Sequence, residues 1–243
     1  MRLVLEIEYD GSNYHGFQRQ RGLLSIQQTL EEALSKIARE PVNVTCAGRT
    51  DAGVHALFQV VHFDTQANRK PTAWVLGVNH YLPKDIRVLS VKVVDQNFDA
   101  RRSAKCRTYR YLIYNYQIPS ALYRLRTMWC PYQLNVEQMQ LGANYLLGEL
   151  DFSSFRGSHC ESKTPMRRVD KILISRGGNI ISIEISANAF LLHMVRNIVG
   201  SLVEVGKGKR CPEWIKEVLL AKDRTKGGVT VPACGLYLIK VQY

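Results

Sequence analysis

The sequence predicts an α+β fold built from two halves of similar layout. Segments that alternate apolar and polar residues are typical of strands, and segments with apolar residues at every third or fourth position are typical of helices. In the first half their order is strand, helix, strand, strand, helix, strand. The second half repeats this layout without visible sequence identity to the first. We therefore predict two domains, residues 1–105 and 106–243, each with a sheet and helices.

The elements of the first half follow from local patterns. Residues 3–9 alternate apolar and charged side chains, as a half-buried strand does. Ser25 stands where a helix cap is expected, and apolar residues recur with helical spacing from Ile26 to Ile37, before Pro41 closes the helix. Strands are predicted over 42–46, 58–63 and 86–94, and a second helix over 71–82. This βαββαβ order is typical of RRM-like folds.

The second half contains a helix from Asn135 to about residue 147 and a hairpin of residues 169–174 and 180–187. Residues 190–203 are apolar nearly all round, which predicts a buried helix. A short helix over 212–220 and a closing strand over 231–238 follow. The glycines and lysines of residues 206–210 lack the spacing of a phosphate-binding P-loop and indicate a helix end with a basic rim.

The composition is that of a soluble globular protein with excess positive charge. Hydrophobic residues make up 46% and charged residues 22%, while 33 Lys and Arg against 21 Asp and Glu give a net charge of +12. This balance favours a polyanionic partner such as nucleic acid, although basic residues also serve solubility. The six cysteines include no Cys-x-x-Cys pair, so we expect reduced, mostly buried thiols and neither disulfides nor a zinc site. No signal peptide or membrane span is evident, and we expect a cytoplasmic protein.

The first catalytic candidate is Asp51, which lies between Gly48 and Gly53 where one predicted strand ends and the next begins. Glycines let a backbone bend sharply there and offer a side chain to a ligand. The same Gly-x-x-Asp-x-Gly spacing also describes an ordinary tight turn. The local pattern leaves both interpretations open.

The most basic segment of the chain, residues 98–114, interleaves cations with tyrosines, among them Tyr109. Arg and Lys can contact phosphate and Tyr can lie against a base plane, so the segment favours nucleic acid. A solvated strand face, with Tyr109 as a core residue, is the alternative. The loop of residues 9–20, rich in aromatics, amides and glycines, similarly fits either RNA contact or a decorated hairpin.

Arg196 lies within the apolar segment 190–203. A guanidinium in such surroundings is costly unless it meets a carboxylate, which predicts an acidic partner, either a site residue or a structural acid. His193 is interpreted as a packed histidine of this helix.

Several of these motifs resemble the TruA family of tRNA pseudouridine synthases. They are Gly-Arg-Thr-Asp-Ala-Gly-Val-His at 48–55, Tyr-Asp-Gly at 9–11, Tyr-x-Tyr at 109–111, Met-Val-Arg-Asn at 194–197 and Pro-Ala-Cys-Gly-Leu at 232–236. The resemblance implies two RRM-like halves that form one mixed sheet with helices on one face and a basic central cleft. It also implies that Asp51 is catalytic, that Arg196 pairs with it, that Tyr109 lies against the target uridine and that Leu236 packs against the uracil. Arg49 would fill the space vacated by the uridine or grip a flanking phosphate.

By the same resemblance the activity is isomerisation of uridine to pseudouridine at positions 38 to 40 of the tRNA anticodon stem-loop. The enzyme would be a homodimer with no cofactor and no metal. Asp51 would act on the N1–C1′ bond either as a nucleophile or as a base, and the sequence leaves both open. The alternatives are an RNA-binding module without activity and a metal-dependent nuclease, for which Asp51 and His55 alone are too few ligands.

Overall fold

A computed structural model describes all residues, 1–243, and confirms the α+β class. The chain forms two compact units. The N-terminal unit comprises residues 1–105 together with 237–243, and the C-terminal unit comprises residues 106–236. The last strand thus belongs with the first 105 residues, whereas the predicted boundary placed it in the second domain. An RRM-like origin of the two halves stays a prediction.

The N-terminal unit has a mixed sheet with β1 between two antiparallel neighbours. Its elements are β1 (Arg2–Tyr9), α1 (Ile26–Ala38), β2 (Thr45–Cys46), β3 (His55–Asp64), α2 (Val78–Tyr81) and β4 (Ile86–Val94), joined by β10 (Leu236–Gln242) from residue 237 onward. β1 pairs with β3 and with β4, and β2 pairs with β3, all antiparallel. β10 is parallel to β3, with Tyr237 opposite His55. The predicted βαββαβ order is confirmed.

The first helix forms where its cap and apolar periodicity predict it. The Ser25 hydroxyl accepts a hydrogen bond from the Gln28 N–H at 3.3 Å, and Leu30 and Leu34 are fully buried. The second predicted helix is less regular, because a π-helical segment, Ala73–Gly77, precedes α2. Trp74 and Val78 are nevertheless both buried, as their spacing predicted.

The C-terminal unit is built on an antiparallel sheet in the order β5-β9-β8-β7, with β6 parallel to β5. Its elements are β5 (Cys106–Asn115), β6 (Met128–Cys130), α3 (Val136–Asn144), β7 (Gly148–Asp151), β8 (Met166–Gly177), β9 (Ile180–Ala187), α4 (Met194–Gly206) and α5 (Trp214–Ala221). In β9, Ile181, Ile183 and Ile185 are fully buried and alternate with half-buried residues, so one face of this sheet carries the core.

Three further predicted elements begin three to five residues later than expected. α4 is buried as predicted, yet it begins at Met194 rather than at residue 190, and His193 before it has a left-handed backbone with φ of 59°. The closing strand begins at Leu236 rather than at 231, because a 3-10 turn, Ala233–Gly235, precedes it. The strand predicted over 42–46 is reduced to β2.

The cysteines are less buried than predicted. All six are free thiols, but only Cys46 and Cys130 are buried, and Cys211 is exposed. None of the helices has both the length and the apolar character that crossing a membrane requires.

Candidate active site

Asp51 lies on the loop between β2 and β3 in the N-terminal unit, and its side chain is partly exposed. The Val54 N–H donates to the Asp51 carbonyl at 3.1 Å, and Gly53 has φ of 77°, so this loop is a tight turn. Arg49 is exposed while Thr50 between them is buried. The turn and the site are therefore compatible, because this turn carries an accessible carboxylate and an accessible guanidinium.

The loop of residues 10–17 packs directly against the Asp51 loop. A Cβ on Gly11 would lie 1.9 Å from the Val54 carbonyl oxygen, and one on Gly16 would lie 2.7 Å from the Thr50 carbonyl oxygen. Both approaches are closer than any side chain allows, so only glycine fits at either position. The Phe17 N–H donates to the same Thr50 oxygen at 3.0 Å. The sequence did not predict that these loops form one rigid assembly.

The aromatic residues of this loop are core residues. Tyr14 and Phe17 are buried, which leaves neither ring free to stack on a base. The Tyr14 hydroxyl donates to an Asp85 carboxylate oxygen at 2.7 Å. Burial, together with that hydrogen bond, raises the pKa of Tyr14. For these two aromatics the structure favours packing over RNA contact.

His55 opens β3 and is buried beneath the same loop. Its Nδ1 lies 3.1 Å from the Gly11 nitrogen and 3.0 Å from an Asp10 carboxylate oxygen, and its ring stacks on Tyr237 at 4.7 Å. No three His, Cys, Asp or Glu side chains are grouped so as to hold a metal ion. His55 thus ties β3 to the loop of residues 10–17.

Tyr109 lies on β5 in the C-terminal unit and points to the same face of the sheet as Tyr111. The residue is 8% exposed, and its ring meets the Phe190 ring edge to face at 5.0 Å between centroids. Most of this side chain therefore belongs to the core, in line with the alternative left open by its sequence pattern. Contact between Tyr109 and a uridine stays a prediction.

The segment of residues 231–235 in the C-terminal unit accepts a hydrogen bond from Arg196 and leads directly into Leu236. The Arg196 Nε donates to the Val231 carbonyl at 2.8 Å, and the Tyr111 hydroxyl donates to the Pro232 carbonyl at 2.7 Å. A Cβ on Gly235 would lie 2.7 Å from the Tyr111 ring, so this segment sits tightly on β5. It places Leu236, which is 7% exposed, at the start of β10. The predicted pair of Arg196 and Asp51 joins residues of different units and stays a prediction.

The basic segment 98–114 is only partly available to a ligand. Arg101, Arg102 and Lys105 are exposed, whereas Arg110 forms an ion pair with Glu184 at 2.6 Å. Of its interleaved tyrosines, Tyr109 and Tyr111 are buried and Tyr114 is half-buried. Cations at the start of the segment are thus the accessible ones.

A second cluster of basic residues, Lys163, Arg167, Arg168 and Lys171, includes a guanidinium that cannot face RNA. Arg167 is 8% exposed, its Nε has no hydrogen-bond partner, and its Nη1 donates to the Thr164 carbonyl at 3.0 Å. Desolvation lowers the pKa of Arg167. The exposed members of this cluster are Lys163, Arg168 and Lys171.

The fold and the Asp51 loop define a basic α+β protein in which a rigid turn presents one accessible carboxylate. The chain belongs to the tRNA pseudouridine synthase family, whose sequence profile matches residues 6–101 and 143–243. Among curated relatives, tRNA pseudouridine synthase A of Coxiella burnetii is 54% identical over 242 residues, which span 100% of this chain and 93% of the relative. The proteins of that name from Colwellia psychrerythraea and Buchnera aphidicola are each 53% identical, over 100% and 99% of this chain and 94% and 90% of the relatives. The resemblance found in the motifs is confirmed.

Proposed function

We propose that this protein converts uridine to pseudouridine in tRNA, with Asp51 as its catalytic residue. The observation that carries the proposal is the accessible Asp51 carboxylate on a turn fixed by Gly11 and Gly16, in a chain of this family. Rigid presentation suits a reaction in which a single carboxylate must meet one atom of a sugar.

The reaction breaks the N1–C1′ glycosidic bond, turns the uracil and joins C5 to C1′, with loss of the C5 proton to water. Asp51 can serve it in two ways. As a nucleophile it attacks C1′ and is displaced again when C5 bonds there. As a base it removes the 2′ proton, which returns when the glycal closes. Both routes use an ionised carboxylate and neither consumes a cofactor.

Arg196 is proposed as the partner that keeps Asp51 ionised and oriented. It lies in the first turn of α4, and that turn contains no acidic residue. The amino end of a helix carries partial positive charge, so a cation there is unfavourable unless an anion joins it. An Asp51 carboxylate at this place would meet both the guanidinium and the helix end.

The target base must leave its stack before Asp51 can reach C1′, which costs a few kcal/mol. We propose that Tyr109 and Leu236 offset this cost by contact with the uracil, and that Arg49 fills the vacated space or grips a flanking phosphate. A net charge of +12 supports the attraction of tRNA as a polyanion. We further propose action at positions 38 to 40 of the anticodon stem-loop, by a homodimer in the cytoplasm.

The test is release of tritium from unmodified tRNA labelled at uridine C5, in the presence of EDTA. Wild-type protein should release tritium, and Asp51→Ala should bind tRNA without releasing any. Asp51→Asn, which keeps the shape of the side chain without its charge, should be equally inactive. Binding without release by the wild type would refute the isomerase and leave an RNA-binding module. Cleavage of the tRNA in a parallel reaction without EDTA, but not in its presence, would indicate a nuclease.

A further inference from the structure

We propose that Tyr9 and Thr50 are positioning residues, whose buried hydroxyl pair aims Asp51 at the substrate. The Tyr9 hydroxyl and the Thr50 Oγ1 are 2.8 Å apart, and both residues are buried. Thr50 is the residue directly before Asp51. The inference rests on the proposed function, because it concerns the rate of the reaction assigned to Asp51.

The Asp51 loop alternates between anchored and accessible residues. Gly48 and Thr50 are held from inside the unit, while Arg49 is exposed and Asp51 partly exposed. Thr50 is held on its buried side between Arg49 and Asp51, the two residues of this stretch that reach solvent. Fixing Thr50 and the Gly48 carbonyl therefore restricts the directions in which the neighbouring side chains can leave the loop. The hydroxyl pair sets the direction in which the carboxylate leaves the loop.

Gln59 provides the second anchor from β3. It is fully buried, and its Nε2 donates to the Gly48 carbonyl at 2.6 Å and lies 3.5 Å from the Tyr9 hydroxyl. The anchors from β1 and β3 thus touch one another behind the loop. Because β1 and β3 are paired strands of the same sheet, the positions of the anchors are fixed by the ladder of backbone hydrogen bonds.

The two hydroxyls have no evident role in filling space. Phenylalanine at position 9 and valine at position 50 would occupy nearly the same volume and would bury no polar group. A hydroxyl pair inside a unit adds direction, because a hydrogen bond fixes the rotation of both side chains whereas apolar contact does not.

Loss of the pair should therefore lower the rate of the chemical step and leave substrate binding unchanged. A displacement of about 1 Å at a reacting group can cost about a hundredfold in rate. We expect Tyr9→Phe and Thr50→Val each to lower kcat by about ten- to a hundredfold, with KM for tRNA within about twofold of wild type. The double variant should be no slower than the slower single variant, because each change breaks the same hydrogen bond.

The experiment measures kcat and KM by tritium release, and thermal unfolding, for wild type, the two single variants, the double variant and Thr50→Ser. Thr50→Ser keeps the hydroxyl and should recover most of the lost rate. Thr65→Val is the matched control, since Thr65 is a buried threonine at the far end of β3 whose hydroxyl donates to Glu40. Ten residues of strand, roughly 30 Å, separate the two threonines. Thr65→Val should lower thermal stability and leave kcat unchanged.

The results separate the possible failures. Unchanged kcat in Tyr9→Phe and Thr50→Val, or effects that multiply in the double variant, would overturn the positioning role. Loss of folded protein in both single variants would assign the pair to stability and would overturn it too. An inactive wild-type protein would refute the proposed function itself, and this inference with it.

Discussion

Replacing Gly235 by alanine tests whether the segment before β10 is held as closely to β5 as the distances indicate. The added Cβ would lie 2.7 Å from the Leu112 carbonyl oxygen and 2.7 Å from the Tyr111 ring. Ordinary contact begins at 3.4 Å, so the segment must retreat by about 0.7 Å. The Tyr111 ring cannot turn aside, because it is fully buried and its hydroxyl donates a hydrogen bond to the Pro232 carbonyl.

The retreat has two costs. Overpacking a close contact costs about 1–3 kcal/mol. Weakening the hydrogen bond between Tyr111 and Pro232 adds about 1 kcal/mol. With a urea dependence of about 3 kcal/mol per molar for a protein of this size, a total of about 2–4 kcal/mol lowers the unfolding midpoint by about 1 M. Leu236 would move with the segment, so the rate of tritium release should fall as well.

The assay is urea unfolding followed by circular dichroism, beside the control Gly177→Ala. Gly177 ends β8, and a Cβ there would have no neighbour within 4 Å, so its midpoint should change by less than about 0.2 M. A Gly235→Ala protein that unfolds at the wild-type midpoint would refute the close approach, and with it the inference that packing on β5 places Leu236.

Three further predictions concern the core, the acid range and one thiol. Ile198→Ala removes a fully buried side chain of α4 and should cost about 2–5 kcal/mol in urea unfolding, whereas Leu220→Ala, at a residue 67% exposed, should cost less than about 0.5 kcal/mol. Hydrogen bonds from Arg2 lower the pKa of Asp64, so this carboxylate stabilises the fold above the unfolded value near pH 4, and the contribution is lost as pH falls through the lower folded value. Asp64→Asn should therefore reduce the loss of stability between pH 6 and about pH 3, and an unchanged acid dependence would contradict this. Burial opposes ionisation of Cys160, but amide hydrogen bonds from Leu192 and Ser162 and the Arg156 guanidinium outweigh it and lower the pKa of the thiol. The pH at which iodoacetamide labels Cys160 at half its maximal rate should then lie below the usual thiol pKa of about 8.5. Arg156→Gln should raise that pH.

Elements with both a local periodicity and a local boundary signal were predictable from the sequence. The Ser25 cap defined the start of α1, and the limits of β4 and β9 are as predicted. Elements shaped by distant contacts were not. The apolar residues 190–193 continue the pattern of α4, yet the Leu192 carbonyl accepts the Gly157 N–H at 2.8 Å and the chain there is not helical. Pro232 in the sequence argues against a closing strand that begins at residue 231, since proline has no N–H to donate to a neighbouring strand.

The site divides in a similar way. The turn at Asp51 was predictable from the two glycines around it, which are local signals, whereas the exposure of Arg49 was not predicted from them. The anchoring by Tyr9 was not predictable, because it joins positions 41 residues apart in the chain. The sequence does show Gly11 and Gly16, but not that the partners they approach are Val54 and Thr50. A local pattern can require a glycine without revealing which backbone lies against it.

The position of Arg196 is an argument for function rather than for stability. Ten of the other twelve residues of α4 are apolar or small and the helix is buried, so an apolar residue at 196 would pack at lower cost. The residue is instead a permanent cation, partly buried, in the turn where the helix itself repels cations. Its Nε bond to Val231 is one that a neutral donor could make equally well. A local arrangement that is unfavourable on each of these grounds is the kind that proteins retain at functional sites. A carboxylate that pairs with the Arg196 guanidinium would offset this cost, which supports the pairing proposed above.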